Sequence, residues 1–70
     1  MSEYISNEVN KLRTSKNVTQ EELAEKVQVS RQTIIAIEKG NYTPSILLAL
    51  KIGKFFNMPV ENIFKISYEK

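Results

Sequence analysis

Few side chains in these 70 residues could do covalent or redox chemistry. There is no cysteine and no histidine, so disulfides, thiolate nucleophiles and the usual zinc sites are excluded. With two glycines there is no phosphate-cradling glycine loop, and no pattern sets two acids together in a cleft. An enzyme is therefore the remotest class, and no cofactor is expected. Hydrogen bonding is the chemistry that remains. Arg31, Gln32 and Thr33 form one polar trio, Thr19 and Gln20 lie upstream, and Lys39, Asn41 and Tyr42 follow downstream. What such groups can reach depends on the elements that carry them.

Those elements read as helices for most of the chain. Ser6-Asn7-Glu8 predicts a helix start, with Val9 and Leu12 on an apolar face that Ile5 either joins or leaves, because Tyr4-Ile5 also suits an extended segment. Lys16-Asn17 closes this helix, since Asn tolerates the left-handed conformation of a helix end. Val18-Thr19-Gln20-Glu21-Glu22-Leu23 is the sharpest local signal. Thr19 is a cap, Glu22 its reciprocal capping-box partner, and Val18 with Leu23 has the spacing of a hydrophobic staple. A second helix, Thr19 to Val27, turns Leu23, Ala24 and Val27 inward. Only Gln28-Val29 separates it from the next cap, Ser30.

The third helix runs from Ser30 to Lys39, with Ile34 and Ile37 toward the core and Gly40 as its stop. Ser45 caps a fourth, lined by Ile46, Leu48, Ala49, Ile52, Phe55 and Phe56 and ending near Asn57. Pro59 opens a short fifth helix carrying Val60, Ile63 and Phe64. In the tail, 65–70, the period changes. Phe64, Ile66 and Tyr68 alternate with Lys65, Ser67 and Glu69, as in a strand. A lone strand needs a partner, either Tyr4-Ile5 or the same tail in a second copy.

Length and composition are consistent with one domain, 1–70. Such a chain buries only about 60% of its unfolded surface, so pairing with a second copy would help it. Net charge is +2, too small a balance to indicate a partner by itself. No apolar run approaches the roughly 20 residues of a membrane span. Met1-Ser2-Glu3-Tyr4 lacks the regions of a signal peptide, so a cytoplasmic location is expected.

Two short helices joined by a tight turn, about 19–40, make a helix-turn-helix, whose second helix enters the major groove of duplex DNA. The pattern supplies Ala24 as the small residue of the first helix. Val29, Ile34 and Ile37 lock the pair, and Arg31, Gln32 and Thr33 are left exposed.

At these residues the chain resembles a known family. Thr19-Gln20-Glu21-Glu22-Leu23-Ala24, Val29-Ser30-Arg31-Gln32-Thr33-Ile34, Ile37-Glu38-Lys39-Gly40 and Tyr42-Thr43-Pro44-Ser45 resemble the lambda-repressor-like (Cro/Xre type) regulators in their short form. The resemblance spans about Val9 to Phe64. It implies an all-α, five-helix DNA-binding domain, here with a short C-terminal strand. It also implies a homodimer that represses from a palindromic operator.

Carried over by position, Arg31, Gln32, Thr33 and Ala36 would read bases, the first two as bidentate partners of guanine and adenine. Thr19, Gln20, Ser30, Lys39, Asn41 and Tyr42 would meet the DNA backbone, with Gln20 as the clamp. Arg13 and Glu38 would pair internally, tying the first helix to the third. The Glu21-Glu22-Glu25 cluster is a solvated face. Three positions depart from the family pattern. Gln28 stands where the turn usually has Gly. Ile35 occupies a usually polar site, either half-buried or facing a thymine methyl. Leu47 replaces a polar residue, and is either a lone exposed Leu or, with Ile66 and Tyr68, a subunit contact. The rival class is a protein-interaction module, such as a DNA-binding antitoxin.

Overall fold

The computed structural model describes residues 2–69. Its elements run β1 (Glu3–Asn7), α1 (Val9–Ser15), α2 (Gln20–Val27), α3 (Arg31–Glu38), α4 (Ile46–Phe56), a single 3-10 turn (Val60–Asn62) and β2 (Phe64–Tyr68). Three helices begin where a hydroxyl meets an orphan amide. Thr19, Ser30 and Ser45 accept from the backbone N–H of Glu22, Thr33 and Leu48 respectively. The Thr19 cap is reciprocal, because the Glu22 carboxylate also accepts from the Thr19 N–H at 2.8 Å. The bond from the Thr19 backbone N–H, and secondarily the Thr19 side chain, hold the Glu22 carboxyl below its ordinary value.

Three helix ends use Asn or Gln in the left-handed region: Asn17 (φ 57°), Gln28 (φ 64°) and Asn57 (φ 56°). Gln28 thus adopts the conformation for which Gly would be the unstrained choice. Its side chain is held from across the fold by Lys51 Nζ, which donates to Gln28 Oε1 at 2.8 Å.

The apolar faces of the helices meet in one core: Val9, Leu23, Ala24, Val27, Ile34, Ile37, Leu48, Ile52, Phe56 and Ile63. Val18, the outer member of the staple, and Val29, which has the same spacing to Ile34, pack against it. A large aliphatic side chain buried this fully contributes about 1.5–3 kcal/mol. α2 and α3 both lean on this core, so their mutual angle is fixed by Leu23, Val27, Ile34 and Ile37 rather than by the two-residue turn between them.

Three expectations are corrected. The fifth helix is only the turn Val60–Asn62. After α4 ends at Asn57, the chain doubles back so tightly that a Cβ on Gly53 would lie 2.9 Å from the Met58 carbonyl oxygen. Pro59 is extended (ψ 145°), and Phe64 already belongs to a strand. The fold is therefore four α-helices with a two-stranded ribbon.

Secondly, Ser6 and Asn7 do not start α1. They end β1, and α1 begins at Val9, with Asn7 Oδ1 accepting from the Val9 N–H at 3.1 Å. Thirdly, Ile46 does not line the inner face of α4 but is 81% exposed.

The tail strand finds its partner within the chain. β1 and β2 pair antiparallel, with Glu3 opposite Tyr68, Ile5 opposite Ile66 and Asn7 opposite Phe64. Backbone bonds from Glu69 to Ser2 and from Glu8 to Ile63 extend the ladder at both ends. Lys70, the last residue of the expected tail segment, lies outside the described residues, as does Met1.

Candidate nucleic-acid interface

The start of α3 is shaped by its cap. Ser30 Oγ accepts from the Thr33 N–H at 3.3 Å and lies 3.1 Å from Thr33 Oγ1. Both hydroxyls are thereby committed to the helix end, and Thr33 is half-buried. Arg31 and Gln32, on the first turn, are exposed and unengaged by any side-chain hydrogen bond among the described residues. Ala36 and Ile35, one turn further, are half-buried. That favours partial burial as the account of Ile35.

Gln20, the first residue of α2, comes close to this surface. Thr19, Gln20, Arg13 and Glu21 line a shallow cleft of about 390 Å³ whose far wall is Arg31. The cleft therefore joins the amino end of α2 to the amino end of α3. Helix amino ends carry unpaired N–H groups and a partial positive charge, so an anion suits such a place. Thr19 contributes its cap rather than a free hydroxyl, since its oxygen already accepts from Glu22.

The downstream group lies at the other end of α3. Lys39, Asn41 and Tyr42 are all exposed, in the segment that follows the helix. About eight residues of helix separate them from Arg31, or roughly 12 Å of rise. Gly40 (φ 78°) turns the chain there, and the Asn41 N–H returns to the Ala36 carbonyl at 2.9 Å. Tyr42 borders two grooves, one shared with Thr33 and Leu47, the other with Ile5 and Ile66. Leu47 and Ile66 thus stand in different grooves, and Tyr68 is opposite Glu3 at the far end of the ribbon.

Behind the cleft, Arg13 and Glu38 are paired. Arg13 Nε donates to Glu38 Oε2 at 2.7 Å and Nη2 to Oε1 at 3.2 Å, with side chains only 11% and 7% exposed. Arg13 Nη1 donates to the Val18 carbonyl at 2.9 Å, which fixes the approach to the Thr19 cap. Asn10 Nδ2 and Gln20 Nε2 also donate to Glu38 Oε1, at 3.1 and 3.0 Å. Burial pushes the Glu38 carboxyl up. The hydrogen bonds from Arg13, Gln20 and Asn10, with the Arg13 charge, outweigh it and leave the carboxyl below its ordinary value. The bond to Glu38 likewise raises Arg13.

Sequence reasoning did not single out Asn10, nor the bond from Asn7 Nδ2 to the Ile37 carbonyl at 2.9 Å that ties the ribbon to the end of α3. Both asparagines join segments about 30 residues apart, and no local pattern announces that.

Residues 9–63 match the helix-turn-helix family model. An uncharacterized HTH-type transcriptional regulator of Methanocaldococcus jannaschii is 57% identical over 60 residues, covering 86% of this chain and 91% of that protein. The cryptic phage CTXphi transcriptional repressor RstR of Vibrio cholerae is 31% identical over 58 residues, or 83% of this chain and 52% of that protein. Among solved structures, the transcriptional regulator VanUg superposes with a TM-score of 0.78 at 24% identity, over 99% of this chain and 92% of that one, a likeness of fold.

Proposed function

The chain belongs to the Cro/Xre-type helix-turn-helix family of DNA-binding transcriptional regulators, and we propose from that premise that it acts as a homodimeric repressor on a palindromic operator. The observation that carries this reading is the first turn of α3. Arg31 and Gln32 are exposed and adjacent, and Arg31 lines the Gln20 cleft. With α3 in the major groove, Arg31 pairs with guanine O6 and N7 and Gln32 with adenine N6 and N7, each discriminating by about 1–3 kcal/mol. Thr33 and Ala36 add contacts at base edges. Gln20 clamps a phosphate at the mouth of the cleft, with Thr19 and Ser30 aligning the helix-end amides. Lys39, Asn41 and Tyr42 meet the backbone beyond the carboxyl end of α3.

Repression is the direction suggested by RstR, which is named a repressor. A homodimer fits the exposed apolar side chains. Leu47 shares the outer face of α4 with Ile46 and Leu50, while Ile66 and Tyr68 stand out on the ribbon. The 1–70 segment would then work as one DNA-binding unit, in the cytoplasm where its duplex ligand is found.

A mobility-shift assay on the promoter region of its own gene tests the base-reading assignment. The double substitution Arg31→Ala plus Gln32→Ala, both at exposed positions, should abolish the specific shift while leaving the melting curve intact. Retained sequence preference would sink it. A reporter fused to that promoter should fall when the protein is supplied, and a rise would reverse the direction of regulation.

A further inference from the structure

We infer that Glu38 is a positioning residue for the DNA-backbone contact: its carboxylate orients the Gln20 carboxamide so that an N–H, and not the carbonyl, faces the cleft. The inference rests on the reading of Gln20 as the clamp.

A glutamine amide is ambivalent, because rotation by half a turn exchanges two donors for an acceptor. A phosphate oxygen only accepts, so a clamp that presents its carbonyl repels what it should hold. An ionised carboxylate also only accepts. Glu38 therefore admits only the NH₂ of Gln20, and Nε2 donates to its Oε1 at 3.0 Å. One amide hydrogen is spent on that bond. The second remains on the same nitrogen, and Gln20 lines the cleft together with Thr19 and Arg31.

The orienting group is itself immobile. Glu38 is 7% exposed and is gripped on both oxygens by Arg13, with Asn10 as a further donor. The Arg13 charge offsets that of Glu38, so the carboxylate does not repel a phosphate that approaches Gln20. Glu38 is also the last residue of α3. The same side chain thus ties the clamp on α2 to the helix that reads bases, so the two contacts hold one register.

A sequence-unrelated 20-bp duplex at low salt, read by fluorescence anisotropy, is the probe, because a backbone clamp needs no operator. The variants are Gln20→Met, Glu38→Gln and the double substitution, compared at a temperature where circular dichroism shows each folded. Gln20→Met should weaken binding roughly tenfold, the scale of one charge-assisted hydrogen bond. Glu38→Gln should be less favourable to binding in the parent than in the Gln20→Met background, a comparison that cancels the effect of the removed charge. The double variant should bind no more weakly than Gln20→Met alone. Equal effects of Glu38→Gln in the parent and in the Gln20→Met background would overturn the inference and leave the clamp standing. Undiminished binding by Gln20→Met would overturn the clamp and the inference with it. The Gln20 side-chain amide signals in ¹⁵N-resolved NMR of the unmutated protein give a readout independent of stability. They should be displaced from free-amide positions; signals at free-amide positions would overturn the inference even if Glu38→Gln does not fold.

Discussion

Glu38 carries a negative charge that sits almost out of water, yet it titrates below its ordinary value because Arg13, Gln20 and Asn10 favour the ionised form together. That has a consequence for stability. A carboxyl whose folded pKa lies below its unfolded value adds stability that is complete above the unfolded value, near 4.5, and is lost as the pH falls through the folded one. The melting temperature should therefore drop more steeply on acidification below about pH 4.5 than it does between about pH 5 and 7. Glu22, lowered by its cap bonds to Thr19, contributes in the same direction. In Glu38→Gln the acid-side slope should be shallower, with the remaining slope due to Glu22 and the other acids. Melting curves followed by circular dichroism across that range check this. Identical slopes in the two proteins would show that Glu38 does not couple folding to protons.

What the sequence disclosed at the scale of elements was whatever is decided locally. Thr19 with Glu22, Ser30 and Ser45 marked three helix starts, because a cap is made within four residues. Asn17 and Asn57 marked two helix ends for the same reason. The misreadings have long-range causes. Ser6 and Asn7 look like a helix start by type, but their fate is decided by a strand about 60 residues away in sequence. Ile46 fits the apolar period of α4, yet it stands on the first turn, where no neighbouring element covers it. Of the candidate interface, the exposure of Arg31 and Gln32 at the start of α3 was legible, whereas the cleft at Gln20 and the convergence of Asn10 and Gln20 on Glu38 were not, because they join elements far apart in sequence.

The fifth helix failed for want of room, and Gly53 is the residue that shows it. A methyl there meets the Met58 carbonyl oxygen at 2.9 Å, a backbone atom that cannot swing aside as a side chain would. Gly53→Ala should therefore destabilise by about 1–3 kcal/mol, although Ala is the better helix former. In a domain this small each kcal/mol moves the midpoint by roughly 4–8 °C. A raised midpoint would mean that the turn after α4 yields more easily than its hydrogen bond from the Met58 N–H to the Gly53 carbonyl implies.

At the scale of the whole molecule, the proposed homodimer requires an apolar surface that a second copy can cover. Two present themselves. On α4, Ile46, Leu47 and Leu50 are 81%, 64% and 56% exposed within five residues. On the ribbon, Tyr4, Ile66 and Tyr68 are exposed. A two-fold axis brings each surface against its own copy, so charges near the axis face like charges. The stretch from Gly40 to Leu50 carries no charge and the lysines that follow it, Lys51 and Lys54, lie toward the carboxyl end of α4, Lys51 already bonded to Gln28, whereas the ribbon intersperses Glu3, Lys65 and Glu69 among its apolar side chains. The tail, moreover, already has its strand partner within the chain. Both arguments favour α4. The molecule measures 36 × 23 × 23 Å, so two copies in contact set their centres between about one width and one length apart. That interval includes the roughly 34 Å between successive major grooves on one face of DNA. Leu47→Gln with Leu50→Gln, which leave the net charge unchanged, should therefore shift the protein to monomer in sedimentation velocity at micromolar concentration, and weaken operator binding more than non-specific binding. Ile66→Glu with Tyr68→Glu should leave the dimer in place. Monomers from the ribbon pair and dimers from the α4 pair would move the two-fold axis to the ribbon, and with it the spacing of the two recognition helices.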